Sequence, residues 1–202
     1  MRIFARFFAV LAVVALPGLA AAADAPVGTY HEFIEGNPQA KVTVIEYASL
    51  TCPHCAHFQE TVYPEIKKNY IDTGKIRYVF RDFPLDQIAM SGALLARCAP
   101  DNRGWKLIDM LFKNQREWIT AEKPVEPLMT YGKLAGMTDA EVESCLKNEQ
   151  LLKTITEERD KASTLYQVQS TPTFYVGDEK VEGDRGYDFI AKIIDAHVAK
   201  GK

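Results

Sequence analysis

Cys52-Pro53-His54-Cys55 places two thiols three residues apart, directly after an apolar run. A Cys-x-x-Cys at the mouth of a helix is the arrangement of a dithiol/disulfide redox centre. Cysteines with this spacing in a helical turn lie roughly 5–6 Å apart at Cα, within reach of one disulfide. The bridge can then open and close with little backbone movement. Pro53 suits the first helical position, because its missing N–H would have had no intrahelical partner there. Cys52, at the helix start, faces free N–H groups and the positive end of the helix dipole, which favour a thiolate. It is the expected nucleophile, and Cys55, one turn deeper, is the expected resolving thiol. His54 can donate a hydrogen bond, or a positive charge when protonated, toward Cys52. Haem attachment would need His at position 56, which is Ala.

Two further groups can serve this chemistry. Glu46 lies on the same alternating face as Val42 and Val44, so its carboxylate should point into protein. There it could relay protons to Cys55 or form an ion pair with a strand-end Lys or Arg. Cys98 and Cys145 are the remaining cysteines. Of the three possible pairings of four cysteines, only Cys52–Cys55 with Cys98–Cys145 preserves the redox pair. Zinc would need Cys98 and Cys145 as isolated ligands, without the paired spacing such sites favour.

The compartment is written at the N-terminus. Arg2 and Arg6 precede an apolar stretch, Phe7 to Leu16, too short to span a bilayer, and Ala21-Ala22-Ala23 offers a small-x-small cleavage site. Residues 1–23 are therefore expected to be a cleaved signal peptide, leaving about 180 residues from Asp24 as one domain. Export to an oxidising periplasm favours disulfides over metal for the four cysteines. Loss of the leader makes the formal charge of −3 more negative by two, and no basic cluster supports nucleic-acid binding.

The elements that position the motif follow from periodicity. Val42 to Leu50 reads as a buried strand, and Phe58, Val62, Ile66 and Tyr70 mark one face of a single helix from Cys55 onward. Ile76 to Phe80 is a second strand, closing a βαβ unit with parallel pairing. Residues 86–166 read as mostly helical. Met90, Leu94 and Cys98 share one face, and Ile108, Leu111 and Phe112 mark another helix. Thr138-Asp139-Ala140-Glu141 is a capping box. Thr173 to Val176, a turn at Gly177-Asp178, and Lys180 to Glu182 form a hairpin before a last helix. His57, Phe58, Tyr63 and Tyr70 read as packing residues, Trp105 and Trp118 as core or groove-lining, and His31 and His197 as solvated.

The order β-α-β…β-β-α around a mixed sheet, with helices in the middle, resembles an α/β thioredoxin fold with an inserted helical domain. Cys52-Pro53-His54-Cys55, Phe83-Pro84-Leu85 and Ser170-Thr171-Pro172-Thr173-Phe174 together are similar to the DsbA-type thiol:disulfide oxidoreductases, over nearly all of the chain after residue 23. The resemblance implies a cofactor-free monomeric enzyme donating its disulfide to exported proteins with free thiols. A quinone-linked, DsbB-like membrane partner would reoxidise it. It supports Glu46 as the proton relay, because the family carries an acid six residues before the first cysteine. It also implies a cis Thr171–Pro172 bond against the active-site disulfide, with the Thr171 backbone free to pair with substrate. Thr171 stands where the family's oxidases often carry Val, a position at which isomerases and reductases more usually have Thr. Those two activities, and a non-catalytic cystine-stapled binding domain, are the rival readings.

Overall fold

The computed structural model describes residues 28–100 and 103–200. The leader expected at residues 1–23 lies outside them. Five strands form one mixed sheet: β1 (Phe33–Gly36), β2 (Val42–Ala48), β3 (Ile76–Asp82), β4 (Thr173–Val176) and β5 (Glu179–Glu182). Their spatial order is β1-β3-β2-β4-β5. β2 and β3 are parallel, with Val42 beside Ile76 and Glu46 beside Phe80, and the other pairings are antiparallel. The strand that leads into the Cys-x-x-Cys is thus the centre of the sheet.

β1 is an addition to the expected order. The four residues Phe33-Ile34-Glu35-Gly36 are too few to read as a strand, and two adjacent apolar residues show no alternation. Tertiary pairing forms it: Phe33 lies beside Phe80 and Glu35 beside Tyr78. Gly36 ends it at φ +89°, where a Cβ would sit 2.5 Å from the Ile76 carbonyl oxygen, so only glycine fits.

The helix expected from Cys55 through Tyr70 is broken. α1 (Pro53–Thr61) is followed by the short α2 (Tyr63–Ile66) and a π-helical turn at Lys67–Ile71. Pro64 explains the break, since it has no N–H to continue the ladder and its ring crowds the carbonyl four residues back. The stripe survives the distortion: Phe58, Val62, Ile66 and Tyr70 all pack in one cluster with Phe174, Val176, Ile190 and Ile194.

Six helices lie between β3 and β4: α3 (Gln87–Cys98), α4 (Gly104–Lys113), α5 (Gln115–Ile119), α6 (Val125–Leu134), α7 (Asp139–Leu146) and α8 (Glu149–Leu165). Asp86 caps α3, its Oδ1 accepting from the Ala89 N–H at 2.7 Å. α7 starts with the capping box read from the sequence, Thr138 and Glu141 satisfying each other's N–H groups. Leu95, Leu107, Leu111, Trp118, Leu128 and Val142 form the core of this block, and Leu50, Cys52 and Cys55 belong to the same cluster. The redox motif therefore sits on the seam between sheet and helices. α9 (Tyr187–Lys200) closes the opposite side. On it His197 is not solvated: its side chain is 12% exposed, against Gly177 and 3.5 Å from Glu179 Oε2.

One device ties the helical block together and a second fastens it to the sheet. Cys98 and Cys145 form a disulfide between the end of α3 and α7, and Gly28 packs against Cys98 Sγ. Arg97, beside it and buried, donates from Nε to Asp82 Oδ2 at 2.8 Å and also bonds the His31 carbonyl. Its guanidinium lies 3.9 Å from the Phe33 ring centroid, so one cation joins α3, β3 and β1. Removing a 47-residue cross-link restores unfolded-chain entropy worth about 4 kcal/mol in the loop-closure model. The Cys98→Ser, Cys145→Ser double variant is expected to lose stability on that scale, read from urea denaturation with m fitted separately for each form, since the uncrosslinked chain exposes more surface on unfolding.

Candidate active site

Cys52 is the N-cap of α1, in extended conformation, with no side-chain acceptor of its own for the first-turn N–H groups. Its N–H donates to Ser49 O at 3.0 Å, which folds the turn that leaves β2. Gln115 of α5 completes that turn. Its Nε2 donates to Leu50 O and Cys52 O, both at 2.9 Å, so the helical block grips the backbone that enters the motif.

The two sulfurs, both thiols here, have opposite surroundings. Cys52 is 6% exposed and Cys55 0%. Cys52 is lowered to about 5 by a hydrogen bond from the Cys55 thiol, against the opposing cost of burial; Thr171 and the backbone N–H groups of Cys55 and His54 add to the lowering. Cys55 moves far upward, through burial first, then its hydrogen bond to Cys52 and the charge of Glu46. The surroundings favour ionisation at Cys52 and oppose it at Cys55. His54 enters through its backbone; its imidazole is exposed and makes no hydrogen bond to Cys52 among the described residues. Pro53, also exposed, opens α1.

The segment before β4 closes over Cys52. The Thr171–Pro172 bond is cis, and Cys52 Sγ donates to Thr171 O at 3.2 Å. The Thr171 hydroxyl is buried without a partner in the dithiol state, free to turn to the thiolate. Gly183 N–H holds Pro172 O at 2.8 Å, and the adjacent Asp184 carboxylate meets Nδ1 of His57 on α1. His57 is thus exposed and tied to a loop, rather than packed in the core as expected.

Glu46 is fully buried. Its partner is neither Lys nor Arg: Tyr78 donates to Oε2 at 2.6 Å, and Oε1 has no partner. Burial pushes the carboxyl up to about 8; the Tyr78 hydrogen bond opposes this, and the charges of Cys52 and Asp184 add to it. At neutral pH Glu46 is an acid with a proton to give, beneath a thiol that ionises only with difficulty.

Sequence reasoning gathered Cys52, Cys55, Glu46, Thr171 and Pro172, and the fold brings all five to this turn. Cys98 and Cys145 form a separate bridge. It missed Tyr78 and Gln115. Tyr78 was findable, since it alternates with Ile76 and Phe80 on a strand parallel to the one bearing Glu46. Gln115 left no trace, because a lone glutamine in a helical block has no pattern that says where its amide lands.

The model of the family described as Thioredoxin matches residues 29–196. The chain belongs to that family. A Rickettsia bellii protein named as a protein-disulfide oxidoreductase is 33% identical over 173 residues, 85% of this chain. The chain spans 66% of that relative's length, and less of the next ones. Among solved structures, Wolbachia pipientis alpha-DsbA1 superposes with TM-score 0.77 and 26% identity, over 86% of this chain and 94% of that one. A protein-disulfide isomerase of Novosphingobium aromaticivorans gives TM-score 0.72 and 27% identity, over 83% and 97%. The sheet and inserted helices are those of the DsbA-type thioredoxin fold.

The two shifts act oppositely on stability. Cys52, lowered in the folded dithiol form, contributes stability fully present above the unfolded thiol's range and lost as pH falls toward about 5. Glu46, raised, contributes stability present below the ordinary carboxyl range and lost as pH rises through about 8. Glu46→Gln should therefore gain stability over the wild type as pH rises from 4.5 to 8, measured by denaturation of the reduced protein. The 240 nm thiolate absorbance should titrate near pH 5 and vanish in Cys52→Ser.

Proposed function

We propose that this chain is an exported thiol:disulfide oxidoreductase that donates its Cys52–Cys55 disulfide to proteins carrying free thiols. The observation that carries the reading is the unequal placing of the two sulfurs, Cys52 at the N-cap of α1 against Thr171 and Cys55 three residues on and fully buried, which favours a thiolate on the first and a thiol on the second. A substrate thiolate attacks Cys52 Sγ, forming a mixed disulfide while the S–S bond to Cys55 breaks. Cys55 leaves with the electron pair and takes the proton of Glu46. A second substrate thiolate then attacks the substrate sulfur, and Cys52 leaves as a thiolate that needs no proton. The substrate is oxidised by two electrons and the dithiol form remains. Pro53 and His54 supply the helix start and an N–H to that thiolate.

The direction of electron flow follows from which form is favoured. Stabilising the Cys52 thiolate stabilises the reduced protein and makes its disulfide the stronger oxidant. The Thr171 backbone, lying against Cys52 Sγ, suits an extended substrate held by main-chain hydrogen bonds once it takes the place of that contact, which makes substrate choice permissive. Turnover then requires a reoxidant, for which a quinone-linked, DsbB-like membrane protein of the same compartment is the proposed partner. The leader at residues 1–23 supports export to the periplasm, and Cys98–Cys145 is proposed as a structural staple in a monomer of one domain with its helical insertion near 86–166.

The equilibrium constant of the Cys52–Cys55 pair against glutathione, measured in the Cys98→Ser, Cys145→Ser background, tests the direction. A value as oxidising as, or more oxidising than, the glutathione couple is expected; a strongly reducing one overturns the oxidase reading in favour of a reductase. Alkylation of Cys52 should abolish dithiol oxidation, whereas a non-catalytic binding domain would be indifferent to it.

A further inference from the structure

Each turnover of the proposed cycle, on which this inference rests, takes a proton from Glu46, and Glu46 has no contact with solvent. In the dithiol form Glu46 again holds a proton while Cys55 keeps the one it took, so a route must bring a second proton in. Oε2 of Glu46 accepts from Tyr78 on β3. Tyr78 lies beside Glu35 of the edge strand β1 in the register. The pairing of Glu46 with Phe80, two residues beyond Tyr78, puts Glu46, Tyr78 and Glu35 on one face of the sheet. Tyr63 of α2 roofs this row. Its ring meets that of Tyr78 edge-on, with centroids 5.3 Å apart, and its hydroxyl donates to Glu35 Oε2. The Glu35 side chain is 25% exposed, 4.0 Å from Lys67 Nζ. Two buried phenols in ring contact thus lie between a sealed carboxyl and one that reaches water, each donating to the carboxyl at its own end.

We propose that Tyr78, Tyr63 and Glu35 form the proton entry of the redox centre, carrying a solvent proton across the sheet from its edge to Glu46. After Glu46 has protonated Cys55, its carboxylate takes the Tyr78 proton. Tyr78 takes that of Tyr63, directly or through one bridging water, and Tyr63 takes the proton that solvent has delivered to the Glu35 carboxylate. One solvent proton enters at Glu35 and one reaches Glu46, and Glu35 is left as the carboxylate that accepts from Tyr63 and lies 4.0 Å from Lys67 Nζ. Burial keeps both phenols neutral, so each passes a proton without resting as an anion. Around the inner end stand Cys52, Cys55 and Asp184; around the outer end stand Trp105 and Lys67, the latter paired with Asp72. The competing exit is Asp184 with the exposed His57.

Tyr63→Phe keeps the ring and deletes only the hydroxyl, and Glu35→Gln keeps the shape and deletes only the acid. In single-turnover oxidation of a dithiol peptide, each is expected to slow the reaction about tenfold, less than the 10²–10⁴ supplied by a direct acid. The solvent deuterium isotope effect should rise, and millimolar imidazole should restore part of the Glu35→Gln rate. The equilibrium constant with glutathione should stay at the wild-type value, and so should the rate of His57→Gln. Wild-type rates in both variants, slowing in His57→Gln instead, or an equilibrium constant that moves with the rate would each overturn the relay. A wild-type protein that fails to oxidise the peptide removes the oxidoreductase reading itself, and the relay with it.

Discussion

The start of α1 is the constraint on which the site depends. A helix must leave its first N–H groups without intrahelical partners, and here those groups close around Cys52 rather than around a capping oxygen. One turn further in, Cys55 has neither that polarity nor water. The same three-residue step that brings the sulfurs within bonding distance separates them electrostatically. When a disulfide between such partners opens, the surroundings favour a thiolate on one sulfur and a protonated thiol on the other.

Each layer of the fold maintains that inequality. β2, central in the sheet, carries Glu46 into a dry interior where a carboxyl keeps its proton. The helical block seals the motif from one side and, through Gln115, pins the carbonyls of Leu50 and Cys52. The loop at Thr171 and Pro172 closes the other side, with a hydroxyl that has no partner until Cys52 ionises. The Cys98–Cys145 bridge and the buried Arg97–Asp82 pair act at a distance from the chemistry, anchoring α3 against α7 and β3. Burying that pair is tolerable because Arg97 also bonds a backbone carbonyl and lies against two aromatic rings.

Legibility varied with the range of the interaction involved. The capping box at Thr138 and the hairpin around Gly177 depend on residues a few positions apart, so their spelling was enough. The stripe of Phe58, Val62, Ile66 and Tyr70 announced its buried face, but Pro64 imposed a break that periodicity alone conceals. β1 was invisible because a four-residue segment without alternation becomes a strand only when β3 offers it an edge. His197 looked terminal and wet, yet the last helix folds it under the β4–β5 turn.

By itself the sequence determined the chemistry: two thiols at a helix mouth, an acid on the inward face of the preceding strand, and a Thr-Pro before the last hairpin. Their spacing and alternation are local properties of the chain, so no partner was needed to read them. Only the tertiary structure decided which sulfur is favoured as an anion, that Glu46 answers to a phenol rather than a cation, and that Gln115 and Glu35 border the site at all. Those outcomes depend on burial and on groups tens of residues away, and desolvation is a property of the assembled interior that no single segment carries.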